Sequence, residues 1–502
     1  MTPPAFTAYD RRSLVPTVVH LGPGVFHRAH QAVYADAVLR TGARSGAVWG
    51  VSLRSPQTRD ALQRNDFAYH VVERRSGVPD VVRPVGALLG IDVASEGVER
   101  VLARLADPSV TVVTVTVTEH GYCATSPGGS LDPRRPEVLH DLEHPQQPKS
   151  LPGLLLEGLV RRRAAGIAPF TVVSCDNLPG NGKATARVVL DLAEYREPRL
   201  SSWLRGNVAF PSSMVDRMVP ATTDEDRHSL LQAGVDDGWP VVAEPFSQWV
   251  LEDLFPFGRP RWERAGVELV SDVSRHEQAK LRILNAAHSA LAYWGLLAGY
   301  RFVWQAANDR VLLAATRDLL QTEVIPTLAT PPGWDLHAYA EQALRRFCDP
   351  ALPYSTVKVA TDGSQKLPVR LIPTLRARLL EGAPAPRCAQ LLAAWAACMC
   401  GPRAGTFAVA DPALGAALGG SSGVAALPGT QTTVPGGAVR RLLSLPGFLD
   451  PAVPREAAFV RGMELAARDL WHGNVRTALA FPFPVHPHAA RLGEVGFTQV
   501  LR

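Results

Sequence analysis

The stretch VVHLGPGVFHRAHQ, Val18 to Gln31, limits the possible folds more than any other in this chain. A β-branched run meets Gly22-Pro23-Gly24 and passes into a helical pattern that begins near Phe26. Strand, glycine turn and helix in that order aim a helix N-terminus at a pyrophosphate. Gly22 permits the tight turn, and Gly24 lets backbone approach phosphate oxygens. The third glycine of the usual fingerprint gives close helix-to-strand packing, and His27 stands in its place. Either the gap there is wider or the imidazole contributes to the site; a merely structural turn is the alternative.

The rest of the first half repeats the theme. TVVHLG, VWGVSL, VTVVTVTVTEHG and FTVVSCDN are short β-branched runs, each ending at Gly, Asn or acidic residues and separated by helical patterns. They read as buried parallel strands of a doubly wound α/β sheet, on which ligands bind at the carboxyl ends. An acidic residue at the end of the second strand normally accepts from the adenine ribose. Here WGVSLRSPQTRD offers none before Asp60, and Arg54 holds that place. It is suited to a 2′-phosphate or to stacking on adenine, and a solvent-facing arginine is the plainer alternative. After about Ser271 the patterns become long, helical and rich in Ala and Leu. The expectation is an α/β protein, with a Rossmann-like doubly wound domain over residues 1–272 and a mainly α-helical domain over 273–502. A surface loop is expected from Ala408 to Gly437.

Composition narrows the class. With 502 residues, 46% of them hydrophobic and 20% charged, the chain can build large cores in more than one domain. The excess of 52 basic over 47 acidic residues is scattered, its densest run being Arg161 to Arg163 on a helical pattern, so no nucleic-acid partner is expected. Six cysteines show neither a disulfide framework nor zinc spacing, which fits reduced thiols in a cytoplasmic protein. No signal core begins the sequence, and LNAAHSALAYWGLLAGY is too short and too polar for a membrane span.

RHEQAKLRILNAAHSALAY carries the chemistry. At 100° per residue, with Lys280 at zero, Glu277 falls at about 60°, His288 at about 80° and Asn285 at about 140°. Burying four polar groups on one side costs several kcal/mol unless they are used or paired. A lysine desolvated enough to lose its proton near neutral pH would be a general base; a solvated helix face is the alternative. Asn177, at the strand end SCDNLPGNG, is placed to donate an amide hydrogen to a reacting oxygen, although an Asn-Leu-Pro-Gly turn explains it equally well.

GPGVFHRAHQ, TEHGY, SCDNLPGNG, SMVDRMVPATT, AEPFSQWVLED, KLRILNAAHS and DGSQKLP occur in this order between Gly22 and about Arg370. Together they resemble the mannitol dehydrogenase family of long-chain, metal-independent polyol dehydrogenases, which includes mannitol 2-dehydrogenases, fructuronate reductases and tagaturonate reductases. The resemblance implies that Lys280 is the catalytic lysine, that Asn285 and His288 are its partners, and that Asn177 acts with Asn285 on the reacting oxygen. It implies a proton-moving role for Glu277 and substrate contacts for Asp216 and Lys366. Lys358, eight residues before Lys366, occupies a slot where many members have an arginine, so a bidentate contact is lost there. Cofactor contacts are expected from Gly22, Gly24, Phe26, His27, Arg54 and Glu119.

The expected reaction interconverts a secondary alcohol of a polyol and a ketose, of the mannitol and fructose type, with NAD or alternatively NADP and no metal. A ketouronate such as fructuronate is the alternative substrate, for which Lys358, Lys366 and Arg370 offer positive charge. HEQAK lacks the second histidine of a zincin, GGSSG lacks the strand of a hydrolase elbow, and GNGKAT lacks P-loop spacing. A non-catalytic sugar or nucleotide sensor would have dispensed with the lysine and both asparagines.

Overall fold

A computed structural model of the chain describes residues 8–126, 128–411, 414 and 457–480. They form two compact units, one ending at Glu277 and the other starting at Gln278. Among the described residues no helix is long and apolar enough to cross a membrane.

The strands of the first unit are β1 (Val18–Leu21), β2 (Val48–Ser52), β3 (Tyr69–Glu73), β4 (Val81–Val85), β5 (Leu88–Val93), β6 (Val112–Val115), β7 (Thr171–Ser174), β8 (Ser213–Asp216), β9 (Val241–Ala243), β10 (Gln248–Glu252) and β11 (Glu268–Val270). Five of them make a sheet in the order β5-β2-β1-β6-β7, with every pairing parallel. The chain winds outward from β1 to β2 and β5, then returns to build β6 and β7 on the other side. The winding direction reverses between β1 and β6, so a crevice opens beyond their carboxyl ends.

The four β-branched runs supply β1, β2, β6 and β7. Both faces of the sheet are covered, which is why these runs are continuous rather than alternating. Val19, Val113 and Val172 face one core with Leu105, Leu155 and Val189 of the flanking helices. Their chain neighbours Val18, Val112 and Val173 face the other, with Ala32, Ala35 and Val38 of the helix Gln31–Arg40. The edge strand β5 and two three-stranded sheets, β4-β3-β9 and β11-β10-β8, were not expected from the runs. Of these, β8 matters here because it carries Val215 and Asp216.

The second unit is helical. Its helix Ala286–Leu297 packs on Pro386–Cys400, which packs on Ala457–Trp471. One expectation needs correction. The segment of Lys280 is not a regular α-helix: Lys280–Asn285 is a π-helical turn between Ser274–Ala279 and Ala286–Leu297. An i→i+5 ladder advances less than 100° per residue, so Asn285 is rotated back toward the face of Lys280 compared with the α-helical projection. Most of the loop expected from Ala408 to Gly437, with its GGSSG, lies outside the described residues.

Candidate active site

The crevice of the first unit is a cleft of about 320 Å³ whose walls include Gly22, Gly24, Phe26, Thr116 and Asn177. Gly22 has φ +91°, and a Cβ there would sit 2.1 Å from the Thr116 carbonyl oxygen, so packing and backbone both demand glycine. Gly24 differs. It caps the short helix Val25–Ala29, and a Cβ on it would meet nothing nearer than the Gly22 oxygen at 3.9 Å. Its missing side chain leaves room on the cleft side, as close approach of a pyrophosphate requires.

Phe26 lines the cleft and stacks on His30, with ring centroids 5.1 Å apart. His27 does not line it. Its ring is buried beneath the loop against His20 of β1, because the side chain at the third-glycine position points into the helix-to-strand layer. Arg54 is 84% exposed beyond β2, its guanidinium 3.6 Å from Glu137. Glu119 begins a short 3-10 turn, and its side chain lies outside the described residues.

Asn177 is exposed on the cleft. Its neighbour Asp176, which the sequence reading passed over, organises the rim. The Asp176 carboxylate accepts from the N–H groups of Val117 (3.0 Å) and Thr118 (3.1 Å) and from the Tyr122 hydroxyl (2.7 Å). Thr118 is held at φ +68°, a conformation costly for a β-branched residue. An acid beside the singled-out asparagine, at a strand end, was the available signal. Asp216, at the end of β8, is buried. Glu277 is also buried, and its two carboxylate oxygens accept from the Gly180 N–H at 2.8 and 3.0 Å.

In the second unit Lys280 and Asn285 are both buried, at 4% and 6% exposure. Taking a lysine amine out of water disfavours its ammonium form. One turn on, the His288 ring stacks on Phe347 (4.8 Å between centroids) and meets Tyr354 edge-on (5.7 Å). Burial, reinforced by the positive charges of Arg370, Lys366 and Arg346, pushes the His288 pKa down to about 3. It is a neutral imidazole at physiological pH. Its Nε2 is buried with no hydrogen-bond partner among the described residues.

Lys366 donates to the carbonyls of Thr361 (2.6 Å) and Val359 (3.4 Å), at the C-terminal end of the helix Thr356–Ala360, whereas Lys358 on that helix is exposed. Arg370 donates from Nη1 to Ser289 Oγ (3.0 Å) and to the Asn285 carbonyl (3.3 Å). Among the described residues no carboxylate pairs with it. Burial pushes its pKa down to about 10, which still leaves a cation. Among the described residues no group of three or more His, Cys, Asp or Glu is arranged to hold a metal ion.

Residues 16–264 match the family model of the mannitol dehydrogenase Rossmann domain, and residues 272–424 that of the mannitol dehydrogenase C-terminal domain. The chain is 43% identical over 374 residues to the "Uncharacterized oxidoreductase YeiQ" of Escherichia coli (strain K12), covering 73% of this chain and 76% of that one. To the D-mannonate oxidoreductase of the same strain it is 37% identical over 486 residues, 95% of this chain and 98% of that one. Among solved structures it is similar to the mannitol 2-dehydrogenase of Pseudomonas fluorescens in a ternary complex with NAD and D-mannitol. That match has a TM-score of 0.80 and 36% identity, and covers 94% of this chain and 95% of the other.

Proposed function

Because the chain belongs to the mannitol dehydrogenase family, we propose that it interconverts a secondary alcohol of a polyol and the corresponding ketose, of the D-mannitol and D-fructose type. The observation that carries this reading is Lys280, buried on a π-helical turn that also carries Asn285. A lysine kept from water is a base for an alcohol proton, and an asparagine beside it is a donor for the oxygen left behind.

The cofactor of this reading is NAD, with NADP as the alternative, held at the Gly22/Gly24 turn with Phe26 beside it. When bound, its nicotinamide supplies the hydride acceptor. In oxidation, Lys280 Nζ takes the hydroxyl proton while Asn177 and Asn285 donate amide hydrogens to the oxygen as charge builds on it. Neutral His288 orients the substrate, and Glu277 passes the lysine's proton toward solvent. Asp216, Lys358 and Lys366 bind further substrate oxygens. In reduction, protonated Lys280 donates to the ketone. No step calls for a metal ion.

A second reading, in which the pair is an aldonate and a ketouronate, is favoured by Arg370. A guanidinium partly withdrawn from water without a carboxylate partner suits a substrate carboxylate. The test of both readings is a spectrophotometric panel of hexitols, pentitols, D-fructuronate and D-tagaturonate with NAD and NADP. Turnover of mannitol or fructose supports the first reading, turnover confined to the uronates supports the second, and no turnover of any contradicts the assignment.

A further inference from the structure

The imidazole in the third-glycine position is half of a stacked pair. The His20 and His27 rings lie 3.5 Å apart between centroids and 14° from parallel, both buried. Beneath the turn, His20 Nε2 is 3.1 Å from the Gly22 carbonyl oxygen and 2.8 Å from Thr116 Oγ1. Its Nδ1 is 2.7 Å from Thr114 Oγ1. The same carbonyl oxygen accepts from the Thr116 hydroxyl at 2.8 Å and from the Gly24 N–H at 2.7 Å.

The Thr116 hydroxyl can donate either to the Gly22 carbonyl or to a bare His20 Nε2. The second arrangement sets the Nε2 lone pair against the carbonyl oxygen at 3.1 Å, whereas an Nε2–H, with Nδ1 accepting from the Thr114 hydroxyl, satisfies every contact and is the favoured tautomer. The peptide concerned joins Gly22 to Pro23 and has no N–H. Turned toward a bound pyrophosphate, it would present only a carbonyl oxygen to negative charge.

We propose that His20, as the neutral Nε2–H tautomer, is a positioning residue that ties the Gly22 carbonyl down into the strand layer, and that His27 stacks over it to exclude water and hold it there. The inference rests on the dinucleotide-binding reading above. It gives His27 a reason to replace a glycine: the flat pair of rings fills the layer that close helix-to-strand packing would otherwise close. Neither ring nitrogen of His27 has a hydrogen-bond partner among the described residues, so the ring contributes by its stacked face.

The test begins with the ligand-free, full-length protein. Histidine ¹⁵N NMR at neutral pH is expected to show His20 protonated at Nε2 and bare at Nδ1; the opposite tautomer or a cationic ring overturns the proposal. Fluorescence titration then measures NAD and NADP binding. His20→Leu should raise the cofactor Kd by about tenfold or more, the size of one lost hydrogen bond, with kcat at saturating cofactor much less affected. His20→Gln, which keeps a donor, should recover most of the affinity. Thr116→Val removes a second donor to the same carbonyl and should weaken binding in the same direction, which keeps the test open if His20→Leu does not fold. Wild-type Kd in a folded His20→Leu overturns this inference alone, whereas a wild-type protein that binds neither dinucleotide overturns the proposed function.

Discussion

The backbone N–H of Gly180 donates to both carboxylate oxygens of Glu277, three residues before Lys280 in the sequence. Glu277 is thereby fixed at the end of the first unit with an N–H as one partner of its charge. Glu277→Gln keeps an acceptor for Gly180 and loses the charge. Oxidation is expected to slow by about tenfold or more, toward the lower range for proton-transfer groups, with cofactor Kd little changed. Glu277→Leu should in addition lower stability by about 1 kcal/mol, because a half-buried N–H loses its acceptor. Equal activity in wild type and Glu277→Gln, measured by initial rates, would remove Glu277 from the proton path.

The two loop glycines separate packing from ligand contact. Gly22→Ala forces a Cβ to 2.1 Å from the Thr116 carbonyl at φ +91°, and the fold is expected to lose stability along with cofactor affinity. Gly24→Ala meets only an oxygen at 3.9 Å, so its melting temperature should stay within about 2 °C of wild type while cofactor Kd rises. Thermal melts with and without cofactor check this. A Gly24→Ala protein with wild-type affinity would mean that the pyrophosphate binds elsewhere.

Arg370 decides between the two substrate readings. If its guanidinium receives a carboxylate, Arg370→Leu should lower kcat/KM for a ketouronate by about 10²-fold, the size of a lost charged hydrogen bond. The loss on fructose should be at least about tenfold smaller. Equal losses on both substrates would assign Arg370 to support of the helix at Ser289.

Acid should weaken the fold through its buried imidazoles. Burial pushes His20 and His288 down to about 3 from an ordinary 6.5, and His27 falls well below 6.5 for the same reason. Between those values the unfolded chain binds protons that the folded chain does not. The stability is therefore fully present above about pH 6.5 and is lost as pH falls toward the folded values. His27→Phe removes one such group. Between pH 7 and pH 5 its melting temperature should fall less than that of wild type, by about 2 °C or more; parallel curves would show that His27 titrates normally.

Local pattern revealed the strands that were continuous and β-branched, and long-range pairing hid the rest. In β5, Gly90 and Asp92 interrupt LLGIDV and mask it as a strand. Trp49 of the neighbouring strand explains both: its ring lies where a Gly90 Cβ would be, within 2.4 Å, and its Nε1 donates to Asp92 at 2.7 Å. The small sheets depend on partners far away in sequence, such as β3 with β9. KLRILN has the same apolar spacing whether its turn is α or π, so the widened turn was invisible. In the site, the glycine turn and Asn177 were legible as motifs. His27 was ambiguous because its partner, His20, is seven residues earlier across a turn, and Asp176 was hidden because its three donors follow the end of another strand.

In the proposed reaction Lys280 is the general base. The direct measurement is the pH dependence of kcat/KM for alcohol oxidation in wild type and Lys280→Ala, with small primary amines added to the variant. Wild type should rise with a single ionisation well below the ~10.4 of a free lysine. Lys280→Ala should lose at least about 10²-fold in rate, lose that ionisation, bind cofactor as before, and regain part of the rate with added amine. A folded Lys280→Ala protein that keeps wild-type activity and the same pH profile would show that Lys280 is not the base.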